Sequence, residues 1–139
     1  MKTASAKFKL GEAIASLHGK TGVSLALPDE EGIVAFSFKQ EGTALDFYMR
    51  ALDDADMVSI MVPIGQVDEA ALAGFAEALL GANLLGLETN GLSLGLNPGD
   101  RSVVLGYSVF SKGLTGEVLE EVIGRFVVAG KEWKERLQP

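Results

Sequence analysis

The chain offers few residues with which to do chemistry. His18 is its only histidine and it has no cysteine, which excludes multi-histidine metal sites, thiolate ligands and disulfides. His18 falls near the end of the first predicted helix without an evident partner, where a capping or surface role suits it better than catalysis. Asp53, Asp54 and Asp56 superficially suggest a calcium loop, but Met57 to Ile64 is apolar where such a loop needs Gly, further ligands and a terminal Glu. They read as a polar turn between strands. Gly91, Gly95 and Gly99 are spaced by four, and neither GxGxxG nor GxxxxGK[ST] occurs, so no phosphate-cradling loop is supported. Ser93 and Ser108 lack the context of a nucleophile elbow. No catalytic, cofactor-binding or metal-ligating set emerges, and the expectation is a protein that acts by binding, without a cofactor.

Composition agrees. With 139 residues, 47% of them hydrophobic, a single domain over 1–139 is expected, burying roughly two thirds of its unfolded surface. No apolar run approaches the ~20 residues of a membrane span. The N-terminus MKTASAKFKLGEAIASL lacks the continuous apolar segment of a secretory signal, so a cytoplasmic address is expected. Lys and Arg total 12 against 19 Asp and Glu, a net charge of −7. The imbalance sits in the middle, where residues 21–100 hold two basic and thirteen acidic residues. Such a surface repels phosphate backbones and disfavours nucleic acid, while steering basic partners toward it.

The elements follow from periodicity. Residues 4–19 read as a helix with Phe8, Ile14 and Leu17 on a loose apolar stripe, ended by Gly19 and Gly22, and VSLAL (23–27) as a short extended piece. Segments 33–39, 43–52 and 57–64 read as three strands of an antiparallel meander, with Pro63 near a strand end or on an edge. Asp68 caps a second helix running to about Asn83. Asn90-Gly91 marks a turn, and LSLGL (92–96) and SVVLGYSVF (102–110) form a hairpin through the tight turn NPGD. Thr115 caps a third helix with a stripe of Leu119, Val122, Ile123, Phe126, Gly130, Trp133 and Leu137. The order α-β-β-β-α-β-β-α defines an α+β domain, one antiparallel sheet flanked by three helices.

The second helix is apolar on two sides. Leu72, Phe75, Ala76, Leu79 and Asn83 form the expected core face, yet the opposite face carries Val67, Ala71, Gly74, Ala78 and Gly81 instead of charges. Either another part of the chain covers this face or two copies meet across it. Glycine costs up to ~1 kcal/mol against alanine in a helix interior, and close packing of a second copy is the better offset, so a dimer is expected. Ile33 to Phe38 is likewise apolar on both strand faces apart from Ser37, leaving surface for another chain in a groove or by strand addition.

The run LLGANLLGLETNGLSLGLNPGD, the preceding MVPIG, the element order and the final helix ending in KEWKERL together resemble the CesT-type class I chaperones of type III secretion. The residues that carry the resemblance are Leu79, Leu80, Ala82, Asn83 and Leu84, then Leu94, Gly95, Leu96, Asn97 and Pro98, with Trp133 in the last helix. It implies a small acidic homodimer, paired through the middle helix and neighbouring strands. Without ATP, such a dimer holds an extended N-terminal segment of a secreted effector and keeps it competent for export. It also implies client docking on apolar surface near the first helix and the sheet, which makes Phe8, Leu17, Phe36 and Phe38 candidates. Two alternatives remain. One is a regulatory or adaptor protein of the same fold that binds a folded partner. The other is a small enzyme, which would need a pocket gathering His18 with a carboxylate.

Overall fold

A computed structural model describes residues 5–21, 26–40 and 42–137, and side chains within these except at 18–21 and 40. Its elements run α1 (Ala6–Thr21), β1 (Ile33–Gln40), β2 (Thr43–Leu52), β3 (Met57–Gln66), α2 (Glu69–Ala82), β4 (Ser93–Asn97), β5 (Ser102–Phe110) and α3 (Gly116–Leu137). All pairings are antiparallel, in the order β1-β2-β3-β5-β4. The expected α+β order and meander are present. Of the extended piece expected at 23–27, Val23 to Leu25 lie outside the described residues, and Ala26 and Leu27 have no regular structure.

One face of the sheet carries the core. Leu45, Phe47 and Met49 of β2, Val58, Ile60 and Val62 of β3, and Val103 and Leu105 of β5 alternate inward and are buried, the two-residue period of a half-covered sheet. The helices α1 and α3 pack over this face. The expected α3 stripe holds: Leu119, Val122, Phe126, Gly130 and Trp133 are buried, and Ile123 and Leu137 are partly so. Phe126 meets Phe47 edge to face at 5.6 Å, and Phe47 stacks on Phe36 at 4.8 Å. The two helices cross closely at Gly116, where an added Cβ would lie 2.6 Å from the Ser16 hydroxyl.

Two local expectations need correction. The buried stripe of α1 is Ala6, Leu10, Ala13, Ile14 and Leu17, with Phe8 turned outward. The helix also continues through Gly19 to Thr21. Pro63 lies as expected near the end of β3, where pairing with β2 has stopped at Met61 and only β5 remains alongside. The ladder to β5 slips between Pro63 and Gly65, a further accommodation of the missing N–H. The caps are as expected: Asp68 accepts the Ala71 N–H at 2.7 Å, and Thr115 Oγ1 accepts that of Val118 at 3.2 Å.

Candidate partner-binding surfaces

The end of α2 is tied to the sheet by its cap residue Asn83. The Asn83 amide accepts the Leu94 N–H at 2.6 Å and donates to the Leu94 carbonyl at 2.8 Å, so it substitutes for a neighbouring strand on the edge of β4. A third bond, at 3.2 Å to the Leu79 carbonyl, holds the amide against the helix end. Beyond it the chain turns through Leu85, which is left-handed at φ 56°. Gly86 is also left-handed, and an added Cβ there would meet Gly91 Cα at 3.0 Å. This turn aims its leucines outward.

Around α2, Leu79 and Ala82 are buried, and Leu72, Phe75, Ala76 and Asn83 are partly buried. That is the expected core face. At about 100° per residue, the outward arc runs from Leu80 through Ala73, Glu77, Ala70, Gly81 and Gly74 to Ala78, all exposed. Of the residues proposed for a dimer face, Gly74, Ala78 and Gly81 are therefore on the surface and Ala71 is partly buried. Val67 is only 5% exposed and belongs to the core; it precedes the helix, in the link from β3, where its N–H bonds the Arg101 carbonyl at 3.1 Å. The leucines are the residues that helix-face counting missed. Leu80, Leu84, Leu85 and Leu87 are 75%, 68%, 85% and 77% exposed. The pairs Leu79-Leu80 and Leu84-Leu85 carry a readable signal, since successive residues of a helix point ~100° apart and cannot both face one core. An added Cβ at Gly74 or Gly81 meets nothing within 4 Å, so no close packing inside the chain accounts for either glycine.

Between α2 and the end of α3, a groove is lined by Gly74, Glu77, Ala78, Gly81, Glu88, Trp133 and Arg136. Trp133 Nε1 donates to the Glu88 carbonyl at 3.0 Å, and the Arg136 guanidinium lies 4.5 Å from the indole ring while pairing with Glu132 at 2.7 Å. Arg136 also lies 3.9 Å from the Glu88 carboxylate, so these two charges meet beside a buried aromatic anchor.

A second apolar surface lies on α1. Phe8 and Leu27 are 59% and 64% exposed and, with Gly11, Ala15 and Pro28, line an open groove of about 500 Å³. The other candidates for client contact lie elsewhere. Leu17 is 4% exposed and is a core residue of α1, about 180° around the helix from Phe8. Phe36 and Phe38 are half-buried on the core side of β1, beside Phe47 and Leu45. The β1 strand is an edge of the sheet. On the uncovered sheet face, Tyr48, Met61, Pro63, Val104, Gly95 and Gly106 line a shallow depression.

Polar chemistry is local and structural. Asp53 Oδ1 accepts the Lys7 backbone N–H at 3.1 Å and so caps α1, while Asp54 and Asp56 sit in the exposed turn that follows β2. Among the described residues, no group of three or more His, Cys, Asp or Glu is placed to hold a metal ion. Asp100 is held below the usual carboxylate range by the Ser102 hydroxyl and backbone N–H, both donating to it. The His18 side chain lies outside those described. No described helix is long and apolar enough to cross a membrane.

The model of the Tir chaperone protein (CesT) family matches residues 12–134, and the chain belongs to that family. Among solved structures, a chain of the ExsC–ExsE complex aligns with TM-score 0.75 and 17% identity, covering 98% of both chains. A chain of the HopA1–SchA chaperone–effector complex aligns with TM-score 0.75 and 12% identity, over 96% of this chain and 99% of that one. The heterodimeric ExoU–SpcU complex from the type III secretion system of Pseudomonas aeruginosa aligns at 0.61 and 16%, over 89% and 93%. At these identities the likeness is one of fold. No curated protein sequence matches the chain significantly.

Proposed function

We propose that the chain is a homodimeric chaperone of type III secretion. It binds an extended N-terminal segment of a secreted effector and keeps it export-competent without ATP. The observation that carries the reading is the presence of two separate unpartnered apolar surfaces in a member of the CesT family. One is the outward arc of α2 with its four exposed leucines, and the other is the α1 groove around Phe8 and Leu27. The first suits a second copy, because a patch built from small residues on one helix is readily self-complementary about a two-fold axis. The second suits a client side chain. The edge strand β1, with Phe36 and Phe38 beside it, offers backbone groups to an added strand. The HopA1–SchA chaperone–effector complex supports the same class of partner.

The test is limited proteolysis of the chain co-purified with its client from the native cell. The chaperone reading expects one short client segment to resist cleavage, equally with and without ATP. Recovery of a fully folded partner, resistant throughout and in the absence of the chain, would instead favour the adaptor.

A further inference from the structure

The α1 groove has a chemical bias beyond being apolar. Its walls are Phe8, Gly11 and Ala15 on one side and Leu27 and Pro28 on the other, with Glu12 on the α1 wall. Lys7 closes one end, and it is bonded to two acidic turns. Its Nζ donates to the Glu30 carbonyl at 3.4 Å and its backbone N–H to the Asp53 carboxylate at 3.1 Å. These two bonds bring both acidic turns, Asp29-Glu30-Glu31 and Asp53-Asp54, to the groove's end, and all five carboxylates are exposed. Lys7 is the one cation among the lining residues. Lys9 is not among the lining residues and lies about 60° around the helix from Glu12.

Gly11 points the same way. An added Cβ would make only an ordinary 3.8 Å contact with Pro28, and the backbone is not left-handed. Alanine would fit and would favour the helix. Among the described residues nothing requires glycine here, whereas a side chain lying deep in the groove would pack directly on its bare backbone.

Resting on the reading of this groove as a client site, we propose that it takes a cationic amphipathic segment of another polypeptide. A large apolar side chain enters between Phe8 and Leu27, and flanking Lys or Arg residues face Glu12 and the two acidic turns. Charge complementarity of this kind selects partners and speeds their encounter.

Fluorescence anisotropy with two labelled peptides tests this. Both are about 15 residues long with leucine at each fourth position; one carries lysines between the leucines and the other glutamates. The lysine peptide is expected to bind at least ~10-fold more tightly at about 0.05 M salt, with the advantage shrinking toward 0.5 M as screening shortens. The triple variant Glu12→Gln, Glu30→Gln, Glu31→Gln should remove most of that advantage, and Glu135→Gln on α3 should leave it. Gly11→Leu should weaken both peptides by filling the groove. Equal binding of the two peptides, or a lysine preference that survives the triple variant, overturns the proposal. If neither peptide binds while a co-purified client stays protease-resistant, the charge assignment fails and the chaperone reading stands. If no client segment is ever protected, both fail.

Discussion

Replacing Leu80 by Glu separates assembly from folding. Leu80 is 75% exposed on α2, so in a single chain it contributes little to the core, and glutamate is nearly its equal as a helix former. Fold stability measured on the monomer should change by about 0.5 kcal/mol or less. In a symmetric dimer the same residue is buried twice. Taking a leucine from exposed to buried is worth about 1.5–3 kcal/mol. With three quarters of its surface still accessible, Leu80 offers roughly 1–2 kcal/mol per copy. Across both copies, roughly 2–4 kcal/mol is lost, which raises the dimer dissociation constant about 30- to 1,000-fold. Burying two carboxylates would add to this. Sedimentation velocity over a concentration series reads the constant directly, with circular dichroism as the check on folding. Val128→Glu, on an exposed residue of α3, is the control and should leave the constant unchanged. The reasoning is refuted if Leu80→Glu dimerises as tightly as the parent chain, or if the parent chain is a monomer at every concentration.

Other outcomes follow from the packing. Asn83→Ala removes the paired bonds to Leu94 and should cost roughly 2–3 kcal/mol in urea unfolding, because two strand-edge groups lose their partner; Asn83→Leu, which restores bulk without the bonds, should not recover it. Gly116→Ala forces a Cβ against Ser16 and should cost about 1–3 kcal/mol. Added to a Ser16→Gly background it should cost much less, a coupling read by a double-mutant cycle. Gly74→Ala should stabilise the monomer by up to ~1 kcal/mol, since nothing lies within 4 Å of the new methyl, yet weaken the dimer. Asp100 has a depressed pKa through Ser102, so its contribution is present above the usual carboxylate pKa and lost as pH falls through the lowered value. Asp100→Asn should lower stability slightly at neutral pH, leave it little changed below the lowered pKa, and so flatten the acid limb of a stability–pH profile.

Much of the fold is legible in the sequence because strong periodicity leaves little choice. The alternation Leu45, Phe47, Met49 and the 22-residue α3 could hardly face any other way. Both caps and the NPGD turn carry their own chemistry. The failures have physical causes. In α1 the burial is shared by Ala6 and Ala13, which carry little hydrophobic signal, so Phe8 draws the eye to the wrong face. The candidate surfaces were only half visible. Small residues on α2 announce a close approach, but the exposure of Leu84, Leu85 and Leu87 depends on a left-handed turn at Leu85. The opposite wall of the α1 groove, Leu27 and Pro28, comes from a segment without regular structure and so without a period to read.

Hydrogen exchange on the complex of this chain with its co-purified client tests the central claim most directly. The account predicts slowed exchange in one short N-terminal client segment, and in this chain slowed exchange around Phe8 to Ala15 and along β1 relative to the client-free protein. It also predicts that α2 is protected equally in both, because the second copy already covers it. Protection spread over a folded client domain, with the α1 groove unchanged, would contradict it.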